Sequence, residues 1–465
     1  MSETASSAGG GPDPGPSFWL RHDPYLPGPS LSGPAEVDVA VVGGGFTGLW
    51  TAIELRLRDP RLRVAVLEQE VVGYGASGRN GGFCEPSLTH GYANGRRHFP
   101  SEVEELERLG HANFEQLAEF LVEHRIDCDF ERTGVLEIAT SPWQFALLQE
   151  EFEERRHRAA PGELLGPGPA RDRLHSPSIE GALFSPDAAI LNPARLARGL
   201  RRVAVELGAT IWEKTRVERL APVPGGCALV TRQATVRAER AVLATNAYSG
   251  RLLRRLRARF VPVYDYVLVS NPLTPAQRRA LGWEGREGVS TTGNHFHYFR
   301  LTADDRILWG GYDAIYHFGG RVGPELDRRP QTFARLEAQF REMFPMLADL
   351  VFVSRWGGPI ATTTRFTCTF GSALGGRVVY ALGYTGLGVA ATRFAARVIA
   401  DHLLAPESPL LQLELVRRPP LPFPPEPLRT AGLALVQAEM ARADRTGRRG
   451  ALLSLLDRLG VGFDS

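Results

Sequence analysis

Residues 37–48 read Val37-Asp-Val-Ala-Val-Val-Gly-Gly-Gly-Phe-Thr-Gly48, a short apolar run that leads into three glycines and then into helical periodicity. The β-branched run predicts a buried parallel strand, and residues 46–58 predict a helix. Arg63-Val-Ala-Val-Leu67 predicts a second buried strand. These segments form a complete βαβ unit, so the sequence favours an α/β fold with a Rossmann-like domain near its N-terminus.

The glycines of this unit match the GxGxxG fingerprint of dinucleotide-binding folds, and Glu68 ends the second strand. Gly43 permits the tight turn, and Gly45 lets the backbone approach a pyrophosphate at the helix N-terminus. Gly48 allows the helix to pack closely on the strand. Glu68 can accept hydrogen bonds from ribose hydroxyls, and its charge would repel a 2′-phosphate. The unit therefore predicts a site for FAD or NAD rather than NADP.

A second glycine-rich loop, Gly73–Gly82, follows Glu68 and reads GYGASGRNGG. Its glycine content rules out an ordinary helix or strand. Such a loop exposes backbone N–H groups, as a second anion cradle would, and Arg79 adds a charged donor. An NAD unit needs no second cradle at this place, whereas FAD with its ribityl arm does. The loop therefore favours FAD.

These motifs resemble those of the FAD-dependent amine and amino-acid oxidase family, which includes D-amino-acid oxidase, glycine oxidase, sarcosine oxidase and gamma-glutamylputrescine oxidoreductase. The last is nearest in its motifs, and the resemblance spans about residues 36–405. It implies a glutathione-reductase-type, Rossmann-like FAD-binding domain with a discontinuous α+β substrate domain built on an antiparallel sheet. The cofactor-binding residues that it implies are Gly43, Gly45, Phe46, Thr47, Gly48, Glu68, Gln69, Gly75, Ala76, Ser77, Gly78, Arg79, Asn80, Gly81, Gly82, Val217, Thr245, Asn246, Gly383, Gly386, Leu387 and Gly388.

The resemblance also predicts how the domains alternate along the chain. Alternation at residues 260–271 and 296–312 independently predicts an antiparallel sheet. The expected segments are a flexible arm at 1–35 (disordered at 1–16), FAD-binding segments at 36–100, 170–250 and 355–405, substrate-domain segments at 101–169 and 251–354, and a proline-rich arm with short helices at 406–465.

The hairpin between His295 and Tyr312 supplies candidate catalytic residues. An arginine in a flavin cavity can hold a substrate carboxylate with two hydrogen bonds, and similar enzymes place an arginine on a strand here. Alternation puts His297 on one face of the strand and Arg300 on the other. The candidate catalytic residues are Arg300, His297, Tyr312 and, from the C-terminal glycine loop, Tyr384.

Two departures from the family pattern bear on the chemistry. Sarcosine oxidases activate dioxygen with a lysine near this hairpin, but the chain's single lysine is Lys214, in the predicted FAD-binding domain. Arg365 and Cys368 stand where the family has Asp and Pro. The covalent cysteine of sarcosine oxidases would fall near Gly358, so the FAD is expected to be bound non-covalently.

Composition excludes several other classes of protein. The 54 Lys and Arg against 52 Asp and Glu give a net charge of +2, which offers no electrostatic basis for binding nucleic acid or an anionic membrane. The four separated cysteines fit neither a disulfide scaffold nor a zinc site, and no metal is expected. The first 35 residues contain no apolar run, so neither a signal peptide nor a membrane span is expected and the localisation is cytoplasmic.

The expected function is oxidation of a C–N bond in a primary or secondary amine or amino acid, with hydride transfer to flavin and hydrolysis of the imine. Dioxygen would then reoxidise the flavin and give hydrogen peroxide. Two alternatives stay open. The missing lysine favours an amine dehydrogenase with another electron acceptor, and the departures at Arg365 and Cys368 permit a flavin-binding protein without turnover.

Overall fold

The computed structural model describes residues 17–23 and 25–462, whose strands form two large sheets and a small one. The disorder expected for residues 1–16 lies outside the described residues. The strands are β1 (Ala35–Val42), β2 (Val64–Leu67), β3 (Phe83–Cys84), β4 (Val135–Ala139), β5 (Glu163–Leu165), β6 (Gly181–Ser185), β7 (Ala189–Ile190), β8 (Thr210–Trp212), β9 (Val217–Val223), β10 (Gly226–Thr231), β11 (Thr235–Leu243), β12 (Val261–Pro272), β13 (Gly288–Thr291), β14 (His297–Leu301), β15 (Arg306–Gly311), β16 (Ile315–Tyr316), β17 (Phe352–Thr362), β18 (Thr369–Ala373) and β19 (Val378–Leu382).

The helices lie mainly outside the sheets and include a group at the C-terminal end. They are α1 (Phe18–His22), α2 (Phe46–Arg58), α3 (Tyr92–His98), α4 (Val103–Glu123), α5 (Pro142–His157), α6 (Pro167–Arg173), α7 (Pro193–Glu206), α8 (Ser249–Leu252), α9 (Pro275–Leu281), α10 (Pro330–Met343), α11 (Gly388–Leu404), α12 (Glu414–Arg417), α13 (Leu428–Thr446) and α14 (Ala451–Arg458). Among the described residues, no helix combines the length and apolar character needed to cross a membrane.

The first sheet has the order β18-β19-β11-β1-β2-β8, with β10 and β9 attached at β11. Strand β1 pairs in parallel with both β2 and β11, which confirms the predicted βαβ unit. Gly48 shows why the fingerprint needs glycine at this place. A Cβ there would lie 1.9 Å from the carbonyl oxygen of Gly43, so only glycine lets α2 approach β1 this closely.

The second sheet has the order β16-β12-β15-β14-β13-β4-β6-β5, with β17 paired to β12. Most of its pairs are antiparallel, as predicted, but β13 and β4 run in parallel. Strands β6 and β17 also belong to it. Residues 181–185, and residues 355–362 of β17, were assigned to FAD-binding segments from the sequence but lie in the second sheet, because local alternation does not reveal which sheet a strand joins.

The N-terminal segment corrects a second expectation. In place of a flexible arm, residues 18–22 form α1, and Phe18, Trp19 and Leu20 are buried. They pack against apolar side chains of β12 and β15 and against Trp356 of β17. The proline- and glycine-rich surroundings concealed this short apolar anchor.

Candidate active site

One continuous cavity of about 1570 Å³ takes its walls from both large sheets. Ordinary ligand pockets measure about 300–1,000 Å³, so this cavity has room for a dinucleotide together with a small substrate. One end is formed by the carboxyl end of β1 and the N-terminus of α2. The other end is formed by the face of the second sheet that carries β12, β14 and β15.

The fingerprint end fits the adenosine and pyrophosphate groups of a dinucleotide. Gly43, Gly45, Phe46 and Thr47 line it, as do Gln69, Val217, Thr245 and Asn246. A Cβ at Gly45 would lie 2.8 Å from the Ser77 hydroxyl oxygen, which accepts a hydrogen bond from the backbone N–H of Phe46 at 2.9 Å. The space beside Gly45 is therefore a cradle that a larger side chain would fill.

Glu68 stands at this end with its carboxylate in the cavity wall. Its two oxygens accept backbone N–H groups of Gly44 at 2.7 Å and Glu70 at 2.8 Å. Burial raises the pKa of Glu68 to about 7, while these hydrogen bonds lower it. The lone pairs that face the cavity suit the ribose hydroxyls predicted for this residue.

The loop 73–82 forms the middle of the cavity wall. Gly75, Ala76, Ser77, Arg79, Asn80 and Gly81 line it, whereas Gly78 and Gly82 do not. Those two glycines serve packing instead. A Cβ on Gly78 would lie 2.4 Å from the carbonyl oxygen of Gly73. A Cβ on Gly82 would lie 2.1 Å from the carbonyl oxygen of Leu191.

Arg79 is already neutralised within the protein. Its guanidinium donates to Asp327 at 2.6 Å and to the Gly357 carbonyl at 3.1 Å, and both charged side chains are buried. Its Nε donates to the Tyr74 carbonyl at 2.9 Å. Arg79 therefore ties the loop to the second sheet, and its charge is not free for an anion as the sequence suggested.

Arg300 supports the same loop from behind and corrects the predicted carboxylate contact. Only 2% of the residue is exposed, and it is not among the residues that line the cavity. Its guanidinium donates to the backbone carbonyls of Gly81 and Leu191, each at 2.6 Å, and to that of Leu301 at 3.2 Å. Because its guanidinium nitrogens already donate to backbone carbonyls, Arg300 cannot hold a substrate carboxylate.

Sequence reasoning missed three further supports of the loop. Ser17 donates to the Gly78 carbonyl at 2.5 Å, and the Trp19 indole donates to the Asn80 carbonyl at 2.9 Å. The Trp356 indole donates to the Arg79 carbonyl, also at 2.9 Å. The isolated Phe-Trp-Leu run at 18–20 was the one available signal for the N-terminal pair.

His297 also differs from its predicted role. Its ring is buried outside the cavity wall and stacks on Trp309, with 4.3 Å between the ring centroids. Burial lowers its pKa to about 4, so the imidazole is neutral at physiological pH. The opposite face of the strand meets the cavity, where Phe296 and Tyr298 contribute to the wall. The predicted Tyr312 lines the cavity as well.

The C-terminal glycine loop forms a further part of the cavity wall, next to the first turn of α2. Gly386, Leu387 and Gly388 line the cavity, and the helix α11 begins at Gly388. Tyr384 also lines it, but its hydroxyl meets that of Thr47 at 2.8 Å. The predicted catalytic Tyr384 therefore links the two glycine loops, and burial raises its pKa well above the usual range.

Gly383 is a packing residue rather than a wall residue. Its N–H donates to the Asn246 side chain at 2.9 Å, and a Cβ would lie 2.3 Å from the Thr363 methyl carbon. Arg365 lies outside the cavity wall too, with its guanidinium over the Phe99 ring, 5.0 Å from the centroid. Its three nitrogens have no hydrogen-bond partner among the described residues. The Arg365 departure therefore does not change the charge of the cavity wall.

Helix α13 roofs the cavity near the second sheet. Its side chains Leu433, Val436, Gln437 and Met440 line the wall. Near its end, the Asp444 carboxylate accepts the backbone N–H groups of Asn294 and His295, each at 3.0 Å, and contacts both of their side chains at 2.7 Å. The sequence predicted short helices here without placing them at the site.

With this geometry established, comparison with known proteins identifies the family. A family model described as "DAO: FAD dependent oxidoreductase" matches residues 38–402. The chain belongs to the DAO family of FAD-dependent oxidoreductases. Its cofactor is therefore FAD, which the two glycine-rich cradles and Glu68 fit.

This DAO-family protein is similar over most of its length to characterised enzymes. It is 30% identical to gamma-glutamylputrescine oxidoreductase of Escherichia coli (strain K12) over 442 residues, which cover 94% of this chain and 96% of that enzyme. It is 28% identical to glycine oxidase of Geobacillus kaustophilus (strain HTA426) over 318 residues, or 63% and 81% of the two chains. The chain is an oxidoreductase of the group that acts on amines and amino acids.

Solved structures confirm the fold of this DAO-family protein. The crystal structure of glycine oxidase from Geobacillus kaustophilus superposes with a TM-score of 0.67 at 24% identity, covering 83% of this chain and 99% of that one. The structure of L-proline dehydrogenase from P. horikoshii also gives 0.67, at 19% identity and with 83% and 98% covered.

Proposed function

We propose that the protein oxidises the C–N bond of a small amine to an imine, which water then hydrolyses to a carbonyl compound. Bound FAD supplies the acceptor for the hydride that leaves the substrate carbon. The observation that carries this proposal is the continuity of one cavity from Glu68 and the glycine cradles to Tyr298 and Tyr312. A substrate on the second sheet would therefore share a space with the cofactor.

The protein's own part in this reaction is orientation and exclusion of water. Phe296, Tyr298, Tyr312 and Trp356 give the substrate end an aromatic wall, and α13 covers it. Holding the reacting carbon in one orientation contributes much of the rate in such reactions. The first turn of α11 stabilises negative charge placed against Gly386, Leu387 and Gly388.

We propose dioxygen as the acceptor, with hydrogen peroxide as the product, and a cytoplasmic location for the reaction. Non-covalent FAD is favoured because no cysteine is among the residues that line the cavity. A second candidate is a dehydrogenase with another electron acceptor. It is favoured by the position of Lys214, which is exposed, pairs with Glu70 at 3.2 Å and is not among the residues that line the cavity.

The test is the visible absorption spectrum of the FAD-loaded protein, recorded without oxygen before and after amines are added. The panel includes sarcosine, glycine, gamma-glutamylputrescine, polyamines and aminophosphonates. We expect one class of amine to bleach the flavin bands and air to restore them with formation of hydrogen peroxide. Bleaching that air does not reverse would favour the dehydrogenase, and a spectrum that no amine changes would contradict the proposal.

A further inference from the structure

Asp265 lies in the middle of β12, and its carboxylate is part of the cavity wall. It accepts a hydrogen bond from the hydroxyl of Tyr298, which lies two strands away on β14. The strand between them carries Gly310, where a Cβ would lie 2.6 Å from Cζ of Tyr298. Glycine at 310 therefore lets the phenol reach across β15 to Asp265.

The same tyrosine touches the glycine-rich loop 73–82. A Cβ on Gly81 would lie 2.8 Å from Cε2 of Tyr298. Phe83 packs edge-on against the ring, with 5.8 Å between the centroids. The carboxylate and phenol therefore stand beside the loop that lines the middle of the cofactor cavity.

Asp265 has no ion-pair partner among the described residues, in contrast to other carboxylates nearby. Asp327 pairs with Arg79, and Asp313 pairs with Arg335, each at 2.6 Å. Burial raises the pKa of Asp265 to about 6 against the lowering effect of its hydrogen bonds, so the group is ionised at neutral pH. A buried carboxylate without a paired cation raises the free energy of the protein, so binding of a cation beside it is favoured.

The same face of the sheet continues with a second carboxylate. Tyr298 pairs with Ser290, and Ser290 pairs with Glu137 on β4. Two strand steps of about 4.8 Å place Glu137 roughly 10 Å from Tyr298 across the sheet. Glu137 lines the cavity, accepts a hydrogen bond from Thr292 at 3.0 Å and has no ion-pair partner among the described residues. Burial raises the pKa of Glu137 to about 7, so this second carboxylate is only partly ionised at neutral pH. The predicted cation Arg300 donates to backbone carbonyls and is not among the residues that line the cavity.

We infer that Asp265, held in place by Tyr298, binds the ammonium group of the substrate and accepts the proton that the nitrogen must lose before the carbon can give up hydride. The substrate is therefore an amine that carries no carboxylate on the carbon whose C–N bond is oxidised, because such a carboxylate would lie beside the Asp265 carboxylate and be repelled by it. This inference rests on the proposed function, since it assigns the substrate class of the same site.

A pair of unreactive probes tests this assignment apart from turnover. The tert-butylammonium ion has no hydrogen on the carbon attached to nitrogen, so it cannot be oxidised there, and pivalate has the same shape with a carboxylate. Each is titrated calorimetrically into the FAD-loaded protein at pH 7.5. We expect the cation to bind at least tenfold more tightly than the anion. Tighter binding of pivalate would overturn the inference.

The variant Asp265→Asn assigns the effect to this residue. It should weaken binding of tert-butylammonium by about 10- to 100-fold without weakening that of pivalate. The matched control Glu150→Gln removes the same charge at the exposed rim of the cavity and should bind both probes as the wild type does. Unchanged binding of the cation by Asp265→Asn would refute the assignment. If that variant does not retain FAD, the probe preference of the wild type still decides the substrate class.

Discussion

At the residue scale, Glu68 is held by two backbone N–H groups and lines the cavity, where we propose that it binds the ribose of the cofactor. The variant Glu68→Gln replaces one acceptor oxygen by an amide NH2 group. This donor would face another donor, either a backbone N–H or a ribose hydroxyl, and one hydrogen bond would be lost. We expect the dissociation constant of FAD to rise by about 10- to 100-fold. Fluorescence titration of the apoprotein with FAD measures this, and Glu70→Gln, whose side chain pairs with Lys214, is the control.

The same residue predicts a pH dependence. Burial raises the pKa of Glu68 to about 7 in the free protein, and ribose hydroxyls that donate to the carboxylate would lower it. Binding of FAD therefore favours loss of the proton, and the affinity falls as the pH drops below 7, by at most about tenfold per unit. Glu68→Gln should lose this slope. An affinity that rises on acidification would contradict the argument.

Arg300 gives a prediction that separates its two roles. In Arg300→Lys the positive charge remains, but the two guanidinium hydrogen bonds to the Gly81 and Leu191 carbonyls are lost. We expect the free energy of unfolding to fall by about 2–4 kcal/mol and FAD to be retained less well. The exposed Arg341→Lys serves as the control. A variant that retains FAD but loses affinity for carboxylate-bearing substrates would restore the role predicted from sequence.

At the element scale, Asp444 fixes the end of α13 over the cavity by holding the backbone before β14, and Gln437 of the same helix donates to the Ala314 carbonyl. Asp444→Ala should leave the FAD-binding sheet intact and release the helix. We expect trypsin cleavage within residues 428–446 to accelerate about tenfold, the factor that 1.4 kcal/mol of local stability represents. Glu439→Ala, on the same helix, should be cleaved at the wild-type rate. Equal rates for both variants would show that Asp444 does not hold the helix.

The same scale shows how far the sequence leads. The βαβ unit and its glycines were predictable because each depends on neighbours within about thirty residues. The sequence could not predict which face of the second sheet forms the site. Alternation places His297 and Tyr298 on opposite faces, and only the packing of β14 decides that Tyr298 meets the cavity. Asp265 sits in an apolar strand without any motif, so only the structure reveals its partner Tyr298.

At the scale of the whole molecule, the buried ion pair of Arg79 and Asp327 joins the glycine-rich loop to the segment before α10. Asp327→Asn would leave the Arg79 charge buried without compensation. We expect the FAD-loaded protein to lose about 3–5 kcal/mol of free energy of unfolding, measured by chemical denaturation. Glu325→Gln, an exposed neighbour, should change stability by less than about 0.5 kcal/mol. A stability equal to the wild type would mean that the pair contributes nothing to joining the two regions.

The pairing of β1 with β11, and of β11 with β19, has a consequence for how the protein is made. Strand β1 leaves the ribosome early, but its neighbour β11 spans residues 235–243 and the glycine loop beyond β19 begins at Gly383. A nascent chain therefore has no complete cofactor cradle until translation has passed that loop. We therefore expect FAD to bind stably only to a chain whose synthesis has passed residues 383–388.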